Sequence, residues 1–171
     1  MTQPLHLGLL GAMPEEIGSD LSYLTNLSSS IHGDLMIHKG SWNDQVHVSL
    51  AWSGWGKVSA ARAATRLLAS EPSIDLLVFT GVAGAADPAL SQWDVVLADA
   101  VVQHDMDARP LFPRFTLPAL NQDRLQPQQT WFDWAKSALQ EAHSAGELEG
   151  FSRPSNGLIA TGDRFIGDPA V

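Results

Sequence analysis

The chain has 171 residues, 44% of them hydrophobic and 17% charged, which is enough apolar material for one sizeable core and the usual length of a single domain. Ten Lys and Arg stand against 19 Asp and Glu, for a formal charge of −9 with no basic run, so nucleic-acid backbones and anionic membrane surfaces are not expected as partners. The absence of cysteine excludes disulfides, thiolate metal sites and a cysteine nucleophile.

The first apolar run, Leu5 to Leu10, reads as a strand ending in Gly11. After Pro14, which suits a first helical turn, Ile17, Leu21 and Leu24 recur at helical spacing and predict a helix through that stretch. "GDLMIHKGSW" and "QVHVSLAW", separated by "NDQ", predict a hairpin, and His32, His38 and His47 are read as surface or partly buried strand residues of it. "SGWGKVSAARAATRLLAS" opens on glycines and continues as an alanine-rich amphipathic helix, and "PSIDLLVFTGVAGA" is a buried strand running into a second glycine-rich turn.

"WDVVLADAVVQHDMDA" supplies a further strand, "TWFDWAKSALQEAHSAG" a helix ending at Gly146, and "SNGLIATGDRFIG" a strand with a loop behind it. Trp131, Phe132 and Trp134 at the start of that helix are expected to pack in a core or an interface. "RPLFPRFTLPALNQDRLQPQQ" is proline-rich without either period and predicts a long irregular loop. No linker divides the chain, so residues 1–171 are expected to form one domain.

Alternating strands and helices argue for an α/β fold, whose ligands bind at the carboxyl ends of the strands. Three loops stand at such ends: "GAMPEE", "TGVAGA" and "TGDRFI". "GVAGAA" lacks the Lys-Ser/Thr ending of a P-loop and "GLLGAM" does not match a dinucleotide fingerprint, so no cofactor is expected. Glu15 and Glu16 lie in a first helical turn, where carboxylates also occur for purely electrostatic reasons. In "HDMD", strand alternation would point His104 and Met106 one way and Asp105 and Asp107 the other, so no metal site is expected there.

Taken together, "GLLGAMPEEI", "SGWGKVSAARAAT", "VFTGVAGAADPALSQWDVVLAD", "QHDMDA" and "ATGDRFI" resemble, in order and at similar separations, the 5'-methylthioadenosine/S-adenosylhomocysteine nucleosidases of the nucleoside phosphorylase superfamily. The resemblance implies a three-layer α/β/α fold with a mixed central sheet. It also implies hydrolysis of the N-glycosidic bond of an adenine nucleoside, without cofactor or metal, by a homodimer; a cytoplasmic location is expected from the N-terminus, which has neither a basic n-region nor a long apolar h-region. Glu16 then activates the attacking water. Met13 and Trp55 line the sugar and its 5'-substituent, and the turn from Thr80 to Gly84, with Val82, Ala83 and Gly84, runs beside ribose and purine. Phe165 and Ile166 form a purine wall.

A carboxylate at the reacting carbon also bears on the choice of nucleophile. About 4 Å from a phosphate it would oppose each negative charge by roughly 4 kcal/mol at an effective dielectric of 20, whereas water meets no such repulsion. Arg62 and Arg66, which could offer cations, are expected to lie too far along their helix. The alternatives are a phosphate-dependent purine nucleoside phosphorylase and a noncatalytic nucleoside-binding member of the superfamily.

Two departures stand out. Val82 replaces a serine common in the family, and "RPLFPRF" replaces a tyrosine-containing stretch that reaches the neighbouring subunit's site, leaving Leu111, Phe112 or Phe115 to do that packing. The family also continues past "GDRFI" through a Met-Glu pair that holds the ribose hydroxyls and a Ser-Asp pair that protonates the purine. The sequence stops at Val171, before either, so the expectation is a chain truncated at its C-terminus.

Overall fold

The computed structural model describes residues 3–18, 21–152 and 154–167. Two compact units make up the chain, residues 1–83 and 84–171. No helix among the described residues is long and apolar enough to cross a membrane.

The first unit is built on a five-stranded sheet. Its strands are β1 (Leu5–Gly11), β2 (Thr25–His32), β3 (Leu35–Asn43), β4 (Val46–Trp52) and β5 (Leu76–Phe79), in the order β2-β3-β4-β1-β5. β1 runs parallel to both β4 and β5, while β2, β3 and β4 are antiparallel neighbours. The sheet is therefore mixed. The hairpin expected around "NDQ" is β3–β4, and β1 takes an interior position between β4 and β5, where its leucines have a core to face on either side.

Strand alternation sends Leu10 to one face, with Leu35, Ile37 and Ala51, where α2 (Lys57–Ser70) lays down Ala63 and Leu67. Leu7 and Leu9 go to the other face, with Val48, Leu50 and the covering side chains Ile17, Leu21 and Leu24. Each fully buried leucine contributes about 1.5–3 kcal/mol of transfer free energy.

That second cover is not the helix expected from the spacing of Ile17, Leu21 and Leu24. α1 is only Pro14–Ile17: Gly18 closes it at φ 96° with its N–H on the Pro14 carbonyl at 2.7 Å. Leu21 and Leu24 are buried from a non-helical segment, so their spacing reflects a shared core face. β2, "TNLSSSIH", is a further difference, since no strand is expected there from the sequence. It is a largely exposed edge strand with a register irregularity between Thr25 and Ser28, and its three serines carry no apolar alternation.

The second unit holds β6 (Val96–Gln103) and β7 (Ser155–Thr161), paired in parallel, and α3 (Gln129–Ser144). The irregular stretch expected over 109–129 runs from 104 to 128, pinned by single bridges between Val101 and Leu125 and between Leu117 and Gln122. Two expectations change here. α3 has no buried residue, and Trp131 meets Trp134 edge to face at 5.8 Å with Trp134 half exposed, so of the two settings expected for these rings, core or interface, the core is not found among the described residues. β6 ends at Gln103, which leaves His104 to Asp107 in a loop where strand alternation does not govern their directions.

Candidate functional site

Parallel β1, β4 and β5 end at Gly11, Trp52 and Phe79, so the loops behind them leave one edge of the sheet. Backbone hydrogen bonds lace them together. Ser53 N–H donates to the Gly11 carbonyl at 2.8 Å, Gly54 N–H to Ala12 at 3.0 Å, and Thr80 N–H to Leu10 at 2.9 Å. The G-A-M-P-E-E, S-G-W-G and T-G-V-A turns therefore stand side by side.

Glu16 occupies the centre of this rim. It is the third residue of α1, and its side chain folds back over the helix start, so that Oε2 accepts the N–H groups of Ala12 at 2.5 Å and Met13 at 3.1 Å. Oε1 accepts the Val82 N–H at 3.3 Å from the turn after β5. The carboxylate fits there because Gly81 has no side chain: a Cβ on that residue would lie 2.7 Å from Oε1 and 2.8 Å from the carboxyl carbon. At Gly11 a Cβ would stand 2.8 Å from Ile17 Cδ1, so a side chain there would have to displace Ile17. Glu15, one residue earlier, is exposed, whereas Glu16 is half-buried.

Such an arrangement fixes an acceptor-only group without enclosing it. Oε2 is engaged by two N–H donors and Oε1 by one long contact, so Oε1 is the oxygen with capacity to take a proton or orient a water.

The other expected residues of the first unit lie on the turns and strands of the same sheet and on α2. Met13 is half-buried with extended backbone at the helix start. Val82 is 78% exposed and shares its N–H with Glu16; Ala83 comes next, also exposed. Trp55 is 76% exposed on the S-G-W-G turn, which is anchored to the Gly11–Ala12 backbone. Arg62 and Arg66 both pair with Asp34 in the β2–β3 turn, and Arg62 also donates to the Ser53 carbonyl at 3.3 Å. Both cations are thus engaged by a carboxylate other than Glu16. The histidines of the antiparallel strands each meet a serine hydroxyl: His32 with Ser30, His38 with Ser29 and His47 with Ser41.

In the second unit, β6 and β7 are parallel neighbours, so "HDMDA" and "GDRFI" leave the same edge. Phe165 is 96% exposed and Ile166 46%. Gly84 opens this unit with nothing within 4 Å of where its Cβ would be. Of the three apolar residues of the irregular stretch, Leu111 is 84% exposed, while Phe112 and Phe115 are half-buried and Arg114 stacks its guanidinium 4.7 Å from the Phe115 ring centre. Asp107 holds Arg109 in a two-pronged ion pair, which draws the Asp107 carboxyl down to about 2. Among the described residues no group of three or more His, Asp or Glu is placed to hold a metal.

Gly81 and Ala12 are not among the residues that the sequence singles out. Gly81 is visible there only as a letter of a glycine-rich turn, and its role depends on a carboxylate far away in the chain. Nothing in the local sequence marks that approach.

Residues 6–171 match the phosphorylase superfamily. A 5'-methylthioadenosine/S-adenosylhomocysteine nucleosidase of Staphylococcus saprophyticus is 32% identical over 162 residues, covering 94% of this chain and 66% of the relative. Among solved structures, the nucleosidase of Neisseria meningitidis in complex with methylthio-immucillin-A is 28% identical with a TM-score of 0.80, over 94% of this chain and 66% of that one. That of Colwellia psychrerythraea in complex with adenine is 32% identical with a TM-score of 0.79, over 95% and 64%. This chain thus spans just under two thirds of the length of these relatives. The chain belongs to the phosphorylase superfamily, with the 5'-methylthioadenosine/S-adenosylhomocysteine nucleosidases as its lineage.

Proposed function

We propose that the protein hydrolyses the N-glycosidic bond of adenine nucleosides that carry a 5'-thioether, such as 5'-methylthioadenosine and S-adenosylhomocysteine, and releases adenine. The observation that carries this reading is the Glu16 carboxylate, held on the sheet rim by the Ala12, Met13 and Val82 N–H groups with Oε1 least engaged. In the bound state Oε1 takes the proton of a water attacking the anomeric carbon. The same carboxylate offsets the positive charge that the ribose acquires as the bond to the base lengthens. Met13 and Trp55 border the sugar and its 5'-substituent, Val82 to Gly84 run beside ribose and purine, and Phe165 and Ile166 wall the base. The bond from the anomeric carbon to the base breaks as the water oxygen bonds to that carbon, and the purine takes up one proton as it leaves.

We read residues 1–171 as belonging to one domain, on the strength of a family match that runs unbroken from residue 6 to 171. A homodimer accompanies this reading, with Leu111, Phe112 or Phe115 packing toward a second copy; the exposure of Leu111 supports it.

The test is adenine release from 5'-methylthioadenosine by the full-length protein in phosphate-free buffer, monitored by chromatography. Release without phosphate that Glu16→Gln abolishes is the expected result. Ribose 1-phosphate formed only when phosphate is added would replace this reading with a phosphorylase, and nucleoside binding without turnover would replace it with a binding protein.

A further inference from the structure

We propose that His104 and Asp105 are positioning residues, a latch that sets where the base-binding loop after β7 begins; the inference rests on the reading of Phe165 and Ile166 as the purine wall. Thr161 is the last residue of β7 and stands opposite Gln103, the last of β6. Beyond that point the sheet no longer directs either chain.

Three consecutive residues are then held by the pair. The Thr161 carbonyl accepts the His104 N–H at 3.0 Å, which continues the strand pairing by one bond. Gly162 lies against the His104 imidazole so closely that a Cβ there would fall on the ring. The Asp163 N–H donates to Asp105 Oδ2 at 3.0 Å, across 58 positions of sequence. A carboxylate acceptor makes this a charge-assisted bond, stronger than a bond between neutral groups.

Arg164, Phe165 and Ile166 come directly after the latch. Phe165 is 96% exposed, so its own packing contributes little to its position. The direction of the loop is inherited from residues 161–163, and with it the place of the wall. Loss of the Asp105 acceptor releases the loop at its root, which weakens base binding more than it slows bond cleavage.

The experiment uses the full-length protein with Asp105→Ala and Asp105→Asn, the second keeping an oxygen that accepts the Asp163 N–H. Three quantities are measured: the adenine Kd by calorimetry, KM and kcat for 5'-methylthioadenosine, and hydrogen exchange of the segment around Asp163. For Asp105→Ala the expected result is an adenine Kd and a KM each raised about tenfold with kcat within about threefold, and faster exchange around Asp163. Asp105→Asn should restore all of these to within about threefold. Unchanged exchange and Kd in Asp105→Ala would overturn the latch, as would equal losses in both variants with a lowered melting temperature. Should the unmodified protein neither bind adenine nor release it, the functional reading fails by itself. Exchange then decides the latch alone: faster in Asp105→Ala but not in Asp105→Asn supports it, and no difference refutes it.

Discussion

The Glu16 carboxylate fills the space in which residue 81 would carry a side chain: the Cβ position on Gly81 lies 2.7 Å from Oε1, 2.8 Å from the carboxyl carbon and 3.0 Å from Oε2. Real Cβ atoms do not approach so closely, so adding one methyl group must move the carboxylate or the turn. Because Val82, the next residue, donates its N–H to the same carboxylate, both responses disturb one small construction.

Gly81→Ala should therefore act as a displaced Glu16. Misplacing a catalytic group by about 1 Å costs on the order of 100-fold in rate. Steady-state kinetics on 5'-methylthioadenosine should show kcat reduced by about that factor with KM within a few-fold. A kcat equal to that of the unmodified protein would show that the approach of the two residues does not matter to turnover.

The two glutamates of the turn should differ in stability as well as in activity. Glu16 supplies acceptors for two N–H groups at the start of α1 and one at Val82, whereas Glu15 is exposed. Removing such an acceptor costs about 1–2 kcal/mol, so Glu16→Ala should lower the urea midpoint accordingly. Glu15→Ala, at an exposed position, should stay within about 0.5 kcal/mol. Equal shifts for the two variants would contradict the hydrogen bonding.

Much of this rim was legible in the sequence, because strand ends followed by glycine-rich turns are local patterns. β1, β4 and β5 and the turns behind them are read from short runs of residues. The identity of the central residue was not legible locally. Glu15 and Glu16 are equivalent as helix-start carboxylates, and only the fold-back onto Ala12 and the approach of Val82, 66 positions away, separate them. Leu21 and Leu24 misled for a related reason. A spacing of three or four residues marks one face of a helix, but an irregular segment laid over a sheet can bury leucines at the same interval, and Gly18 had already closed the helix. β2 was hidden because an edge strand with exposed serines has no buried face to impose alternation.

Burial of Leu21 in that irregular segment has a measurable consequence. It packs with Val48, Leu50 and Leu24 on the face of the sheet away from α2. Leu21→Ala should destabilise the protein by about 2–5 kcal/mol, as expected for a leucine removed from a core. Ile31, on the edge strand β2 and largely exposed, provides the comparison: Ile31→Ala should cost less than about 1 kcal/mol. Denaturation midpoints of the two variants compare them directly, and a loss at Leu21 no larger than that at Ile31 would refute its place in the core.

His38 should make stability depend on pH. Its ring packs edge-on to Trp52 at 4.8 Å and its Nδ1 meets Ser29 Oγ at 2.8 Å, and burial lowers its pKa below the ordinary 6.5. The unfolded chain therefore binds a proton at His38 more readily than the folded one. Above about pH 6.5 both states are neutral at this residue and its contribution is fully present; as pH falls through 6.5 toward the lower folded value, protonation favours unfolding and the contribution is lost. Melting temperatures recorded from about pH 8 to 5 should decline with a component that His38→Gln removes. An identical profile for the variant would show that another group controls this range.

Val82 offers a test of which side of the rim faces the nucleoside. Its backbone N–H is committed to Glu16 Oε1, while its side chain is 78% exposed beside that carboxylate. Val82→Ser leaves the backbone donor in place and adds a hydroxyl that donates or accepts one hydrogen bond. If ribose or purine lies against this turn, a single added bond is worth about 0.5–1.5 kcal/mol, and KM for 5'-methylthioadenosine should fall by up to about tenfold. The melting temperature should barely move, because no buried contact is lost at so exposed a position. A KM that stays constant, measured alongside an unchanged melting temperature, would place the nucleoside away from the Val82 side chain.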